Sequence, residues 1–145
     1  MSTMILESAV MPASVATDVQ SRRARLAGRI LTGLAVAFLI MDLSFKLFVS
    51  PEAVKGTTDL GWQEHHLFAL GLIELACLIV YLIPRTAPLG AILWTGYLGG
   101  AIATHMRVDN PLFSHTLFPI YVAALIWGGL YLRDARVRAL IRPAR

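Results

Sequence analysis

The sequence predicts an all-α integral membrane protein, a four-helix bundle with both termini in the cytoplasm (N-in/C-in) and a disordered N-terminal tail. Of its 145 residues, 57% are hydrophobic and 15% are charged, whereas a soluble domain carries about 25% charged residues. Four apolar stretches of 17 to 22 residues match the ~20 residues that a helix needs to cross a ~30 Å hydrocarbon core. Four consecutive helices without a polar face are not expected in a soluble bundle.

The chain is predicted to divide into a tail and one membrane domain. Residues 1–24 are expected to be a disordered cytoplasmic tail, and residues 25–142 a domain of four transmembrane helices. The opening MSTMILESAVMPASVATDVQS has no helical periodicity and no basic start before a long apolar core. This pattern does not indicate a signal peptide.

The four helices are predicted at about 27–48, 67–83, 87–105 and 116–132. Residues 49–66 contain Pro51, Gly56 and Gly61 and should form an exposed loop. The connection PRT is so short that the second and third helices must be antiparallel neighbours, and Pro88 suits the first turn of the third helix. The Asp-Asn-Pro of MRVDNPLFSH indicates a turn before the fourth helix.

The distribution of basic residues predicts the orientation. The N-in/C-in arrangement places ten arginines in the cytoplasm: Arg22, Arg23, Arg25, Arg29, Arg85, Arg133, Arg136, Arg138, Arg142 and Arg145. Only Lys46, Lys55 and Arg107 lie on the other side. This positive-inside bias predicts a multi-pass membrane protein, with the lipid bilayer as partner. It accounts for the net charge of +4 without nucleic acid, which is not a predicted partner.

A stripe of small residues marks the third helix. Gly96, Gly100 and Thr104 recur every four residues, and Gly99 lies on the adjacent stripe. Glycines weaken a helix in water, but in lipid small residues let helix backbones approach closely. These four residues are therefore predicted to form a helix-packing surface.

Ionisable residues are predicted to collect in the outer half of the membrane. Asp42 should lie ~9 Å and Glu74 ~10 Å from the outer end of their helices. Lys46 follows Asp42 by four residues, and His105 and Arg107 end the third helix on the same side. Charged groups at such depth usually face the interior and find partners. We expect Asp42, Lys46, Glu74, His105 and Arg107 to form one polar cluster.

Simpler interpretations of these residues remain open. Asp42 and Lys46 could be a structural ion pair, and Glu74 a protonated acid hydrogen-bonded to a neighbouring helix. No metal-ligand spacing is present, so neither a metal nor a haem is predicted. The lone Cys77 fits a small buried side chain better than a reactive thiol.

The later helices resemble a known family. The stretches YLIPRTAPLGAILWTGYLGGAIATHMR and LFSHTLFPIYVAALIWGGLYLRD are similar to the DoxX-like family of small bacterial four-helix inner-membrane proteins. The resemblance spans roughly Gly28 to Ile141. It implies association with membrane oxidoreductase systems, including thiosulfate oxidation coupled to quinone, but it carries over no set of catalytic residues.

Two functions from different classes therefore compete. One is an accessory subunit that binds a quinone or a partner redox protein at the outer-half cluster. The other is a non-enzymatic membrane protein for assembly, lipid handling or small-solute movement. In either function the protein could act as a homo-oligomer or with other membrane proteins. An enzyme acting alone is the weakest hypothesis, because the carboxylates lack a recognisable catalytic partner motif. A pocket between the helices, apolar below and polar above, would favour quinone binding.

Overall fold

The computed structural model describes residues 13–141, without the side chains of residues 13–20 and 141. The described chain is all-α, as predicted. Its α-helices are α1 (Ala13–Leu47), α2 (Pro51–Asp59), α3 (His66–Leu82), α4 (Ala87–Arg107), α5 (Phe118–Arg133) and α6 (Ala135–Ile141). A short π-helical turn, Leu112–Thr116, precedes α5.

Four long helices pack around a common core. Helix α1 contacts α3 and α5, and α4 also contacts α3 and α5, so the four enclose a shared interior. Aromatic and aliphatic side chains fill its centre: Leu39, Tyr81, Trp94, Ile126 and Leu130 are at most 2% exposed. The hydroxyl of Tyr81 donates to the carbonyl of Ile126 at 3.1 Å, which satisfies a polar group within this core.

The outward faces of these helices are apolar. Large side chains such as Leu34, Phe68 and Ile92 are at least half exposed, where a soluble protein places polar residues. Among the described residues, Ser21–Leu47 and Leu112–Arg133 are long and apolar enough to cross a membrane, and His66–Leu82 is a shorter apolar helix. This surface is the one expected of helices in contact with lipid.

Two predicted boundaries were wrong. Helix α1 begins at Ala13, so residues 13–24 are helical where a disordered tail was expected; residues 1–12 lie outside the described range. The predicted loop 49–66 contains helix α2, in which Ser50 caps the backbone N–H of Ala53 and Pro51 occupies the first turn. Ser, Pro and an acidic residue in succession are a helix start signal that outweighs the glycines nearby.

The predicted glycine packing surface was also wrong within this chain. A Cβ added at Gly96, Gly99 or Gly100 would meet no atom of another element within 4 Å. Thr104 donates its hydroxyl to the carbonyl of Gly100 at 2.9 Å, a bond within its own helix. These residues face open space because the helix turns its bulky side, with Trp94 and Leu98, toward the core.

Other glycines permit the close helix contacts. A Cβ at Gly90 would lie 2.4 Å from the backbone of Tyr81, so α4 begins in direct contact with the end of α3. Gly28 of α1 and Gly129 of α5 meet in the same way, since a Cβ at Gly28 would be 2.9 Å from the Gly129 carbonyl oxygen. The middle of α1 therefore lies beside the end of α5, and since Phe38 of α1 contacts Phe118 at the start of α5, these two helices are antiparallel.

Candidate functional site

A three-residue ion cluster joins α1 to α3. The ammonium group of Lys46 lies 2.5 Å from Oδ2 of Asp42, one helical turn earlier, and 2.5 Å from Oε1 of Glu74. The order acid then lysine four residues later favours the first contact within a helix. The Lys46 side chain is 17% exposed and that of Glu74 is 1% exposed, so the second contact is buried.

This cluster carries an excess of acid. Two carboxyl groups share one ammonium group, and the ring of Tyr97 lies 5.8 Å from that ammonium nitrogen. The Tyr97 hydroxyl is near the Glu74 carboxyl group. Oε2 of Glu74 nevertheless has no hydrogen-bond partner among the described residues. The cluster thus presents an unpaired acceptor to its surroundings.

A cavity of about 720 Å³ lies against the cluster. Trp94, Leu39 and Val122 line its inner end, whereas Asp42, Lys46 and Glu74 line its wall. Helix α2 closes the outer end: Glu52, Ala53, Gly56, Thr57 and Asp59 also contact the cavity. The cavity therefore combines an apolar floor with a charged wall and a polar outer end.

His105 lines this cavity but joins a different group of polar residues. Its Nδ1 lies 2.9 Å from the side-chain amide nitrogen of Asn110, and its ring centroid is 5.9 Å from that of His115. Both histidines and Asn110 line the cavity. The cluster predicted from the sequence included His105 but not His115, although the position of His115 at the start of the fourth helix was a signal for it.

Arg107 lies apart from the ion cluster. Its guanidinium group donates to the carbonyl oxygen of Leu60 at 2.7 Å, and Gly61, with φ +80°, turns the chain close to it. The expectation that Arg107 would join the cluster was therefore wrong. The arginine anchors the α2–α3 connection to the end of α4, because the carbonyl oxygen of Leu60 is within hydrogen-bond distance of it.

Sequence reasoning also missed Trp94 as a site residue. Its side chain is 1% exposed and lines the cavity, yet its indole N–H has no hydrogen-bond partner among the described residues. A tryptophan in an apolar helix is common at membrane interfaces, so no feature of the sequence distinguished Trp94 from Trp127. The latter donates to the hydroxyl of Thr95 at 2.9 Å.

Gly96, Gly100 and Thr104 line the same cavity, whereas Gly99 does not contact it. The absence of side chains at the two glycines leaves room on this side of the helix. Among the described residues, no group of three or more histidine, cysteine or carboxylate side chains is arranged to hold a metal ion. The chemistry that this cavity offers is therefore hydrogen bonding and charge beside an apolar surface.

Comparison with known proteins identifies one relationship. A family model described as the DoxX-like family matches residues 30–129, which include the second half of α1, all of α2, α3 and α4, most of α5 and all three residues of the ion cluster. No curated protein and no solved structure matches the chain.

Proposed function

Because this chain belongs to the DoxX-like family, we propose that it is a multi-pass, four-helix protein of the bacterial inner membrane that binds a lipid-soluble quinone in its outer-half cavity. In this proposal it serves as an accessory subunit of a membrane oxidoreductase system. The observation that carries the proposal is the cavity, with its apolar floor and charged wall.

The dimensions and chemistry of the cavity support a ring-shaped ligand. Its volume of about 720 Å³ is within the range of roughly 300–1,000 Å³ for small-molecule sites. Phe38 and Trp94 supply aromatic surface at its inner end, and a few polar groups would fix the orientation of the ring. An amphipathic headgroup with an apolar chain fits such a site better than a freely soluble polar metabolite does.

The same helices support the proposed orientation in the membrane. The antiparallel packing of α1 and α5 beside each other, with the arginine-rich segments at their shared end, supports N-in/C-in topology under the positive-inside rule. The cavity then lies in the outer half, below the roof formed by α2. The inner end carries no comparable carboxylate cluster among the described residues.

Quinone binding is measurable through the tryptophan in the cavity. Purified protein in lipid nanodiscs should be titrated with a short-chain benzoquinone and a short-chain naphthoquinone, which quench tryptophan fluorescence on contact. Saturable quenching is expected for the wild type and for Trp127→Phe, and a much smaller saturable component for Trp94→Phe. Linear quenching of equal size in all three proteins would contradict the proposal.

The molecules that co-purify with the protein distinguish quinone binding from the non-enzymatic alternative. Mass spectrometry of protein extracted in mild detergent should detect quinone at a near-stoichiometric level, together with any redox partner. A bound phospholipid and no quinone would instead indicate a non-enzymatic role in lipid handling or assembly.

A further inference from the structure

Two buried residues that line the cavity each carry a polar atom without a hydrogen-bond partner among the described residues. Oε2 of Glu74 accepts no hydrogen bond and the indole N–H of Trp94 donates none within the described chain. The two residues are 0% and 1% exposed and lie on the adjacent helices α3 and α4. One group is an acceptor and the other a donor.

Such groups are rarely left unmatched in folded proteins. Most buried polar atoms have a hydrogen-bond partner, and each exception needs an explanation. The other carboxylate oxygen of Glu74 is already paired with Lys46 at 2.5 Å, so that contact leaves Oε2 free. A ligand that supplies both a donor and an acceptor would satisfy the two groups together.

The charge of the cluster indicates which redox form of the ligand fits the cavity. The ammonium group of Lys46, 2.5 Å from Oε1, favours the ionised form of Glu74, and an ionised carboxylate accepts hydrogen bonds and donates none. The carbonyl oxygens of a quinone also only accept, so a quinone would leave Oε2 unpaired and place two acceptors against each other. A hydroquinone carries two hydroxyl groups, each of which both donates and accepts.

We propose, on the basis of the function proposed above, that the cavity selects the hydroquinone over the quinone. One ligand hydroxyl donates to Oε2 of Glu74, and a ligand oxygen accepts from the indole N–H of Trp94. Glu74 thereby determines which redox form binds, and Trp94 contributes equally to both forms because each form has an acceptor oxygen.

Calorimetric titration of nanodisc-embedded protein under argon, with a short-chain benzoquinone and its hydroquinone, tests this selectivity. A hydrogen bond to a charged acceptor predicts that the hydroquinone binds about tenfold more tightly. Glu74→Gln should remove or reverse this preference, since an amide NH₂ in place of Oε2 donates to a quinone carbonyl. Trp94→Phe should weaken the binding of both forms by a similar factor and leave the ratio of their affinities unchanged.

Two controls test whether Oε2 of Glu74 is the acceptor that distinguishes the two redox forms. Asp42→Asn removes the same formal charge from the other side of Lys46 and should preserve the preference. The dimethyl ether of the hydroquinone has no hydroxyl donor and should bind wild-type protein no more tightly than the quinone does, a test that stands even if Glu74→Gln fails to fold.

Several results would overturn the inference. Equal affinity for both redox forms would refute it while leaving quinone binding intact, whereas no binding of either form would refute both proposals. A preference that survives Glu74→Gln, or that Tyr97→Phe alone abolishes, would assign the selectivity to another group. Tight binding of the dimethyl ether would also contradict it.

Discussion

The ammonium nitrogen of Lys46 lies 2.5 Å from Oε1 of Glu74, a residue 28 positions later in the chain. This contact joins α1 to α3 in the interior, where an unpaired charge is costly to bury. Lys46 also contacts Asp42, whose side chain is 38% exposed. The buried acid therefore depends on the lysine more than the half-exposed one does.

Replacing Lys46 by methionine should destabilise the protein by about 3 kcal/mol, because removing one partner of a buried ion pair leaves an uncompensated charge. The double variant Lys46→Met/Glu74→Gln should recover much of this loss. Unfolding midpoints in detergent measure both effects. Lys55→Met is the matched control, since its ion pair with Asp59 is exposed and its loss should leave the midpoint unchanged. Equal midpoints for the single and double variants would contradict the prediction.

Gly90→Ala should destabilise the protein by about 1–3 kcal/mol, as overpacking does, since the added carbon would lie 2.4 Å from the Tyr81 backbone. Gly99→Ala, on the same helix, should be neutral or stabilising by up to about 1 kcal/mol because alanine favours helix and has open space. Thermal unfolding in detergent compares the two. A stable Gly90→Ala protein would show that α3 and α4 separate easily.

Gly100→Leu should fold normally and lose quinone binding. A Cβ at this position meets no neighbour, but the leucine side chain would enter the cavity that Gly100 lines. Fluorescence quenching and the unfolding midpoint should both be measured on this variant. A lowered midpoint with intact binding would instead support the helix-packing role that the sequence suggested for this glycine.

Reporter fusions test the orientation. Fusions after residues 86 and 145 should report a cytoplasmic location and a fusion at residue 56, within α2, a periplasmic one. A periplasmic C-terminus would place the ion cluster in the inner half of the membrane and contradict the proposed position of the site.

The ion pair of Asp134 and Arg136 should give the protein a pH-dependent stability. The guanidinium group of Arg136 donates to Asp134 at 2.7 Å and to the Pro84 carbonyl at 2.6 Å, and its hydrogen bond lowers the pKa of Asp134 below the usual 3.8. The stabilisation is therefore present above pH 3.8 and disappears as the pH falls through the lower folded-state pKa. Asp134→Asn should lower the unfolding midpoint at neutral pH and have little effect near about pH 2. The same difference at both pH values would contradict this assignment.

Periodicity and composition predicted the helices better than the contacts between them. The all-α class followed from apolar length, and the expectation that Asp42 and Glu74 lie near each other from helix rise, because both depend on local geometry. Which side of α4 faces the core does not depend on local geometry. Its glycines suggested that their side of the helix packs against a neighbour, but the side that carries the bulky Trp94 faces the core.

Arg107 and the close-contact glycines illustrate the same limit. The partner of Arg107 is a carbonyl in a turn 47 residues earlier, and no spacing in the sequence records such a contact. The pair Gly28 and Thr32, four residues apart, did carry a small-residue signal. This signal could be assigned to a helix contact only with the knowledge that Gly129 of α5 lies opposite the pair.

Gly96 and Gly100 have a consequence for how a ligand reaches the cavity. Both are exposed and both line it, so the wall between the cavity and the surrounding acyl chains contains backbone and no side chains at these points. A lipid-soluble molecule would enter sideways, by diffusion in two dimensions, and its occupancy would follow its mole fraction in the bilayer. Affinities for this protein should then be expressed relative to lipid, and diluting the ligand with added phospholipid at constant aqueous volume should reduce binding.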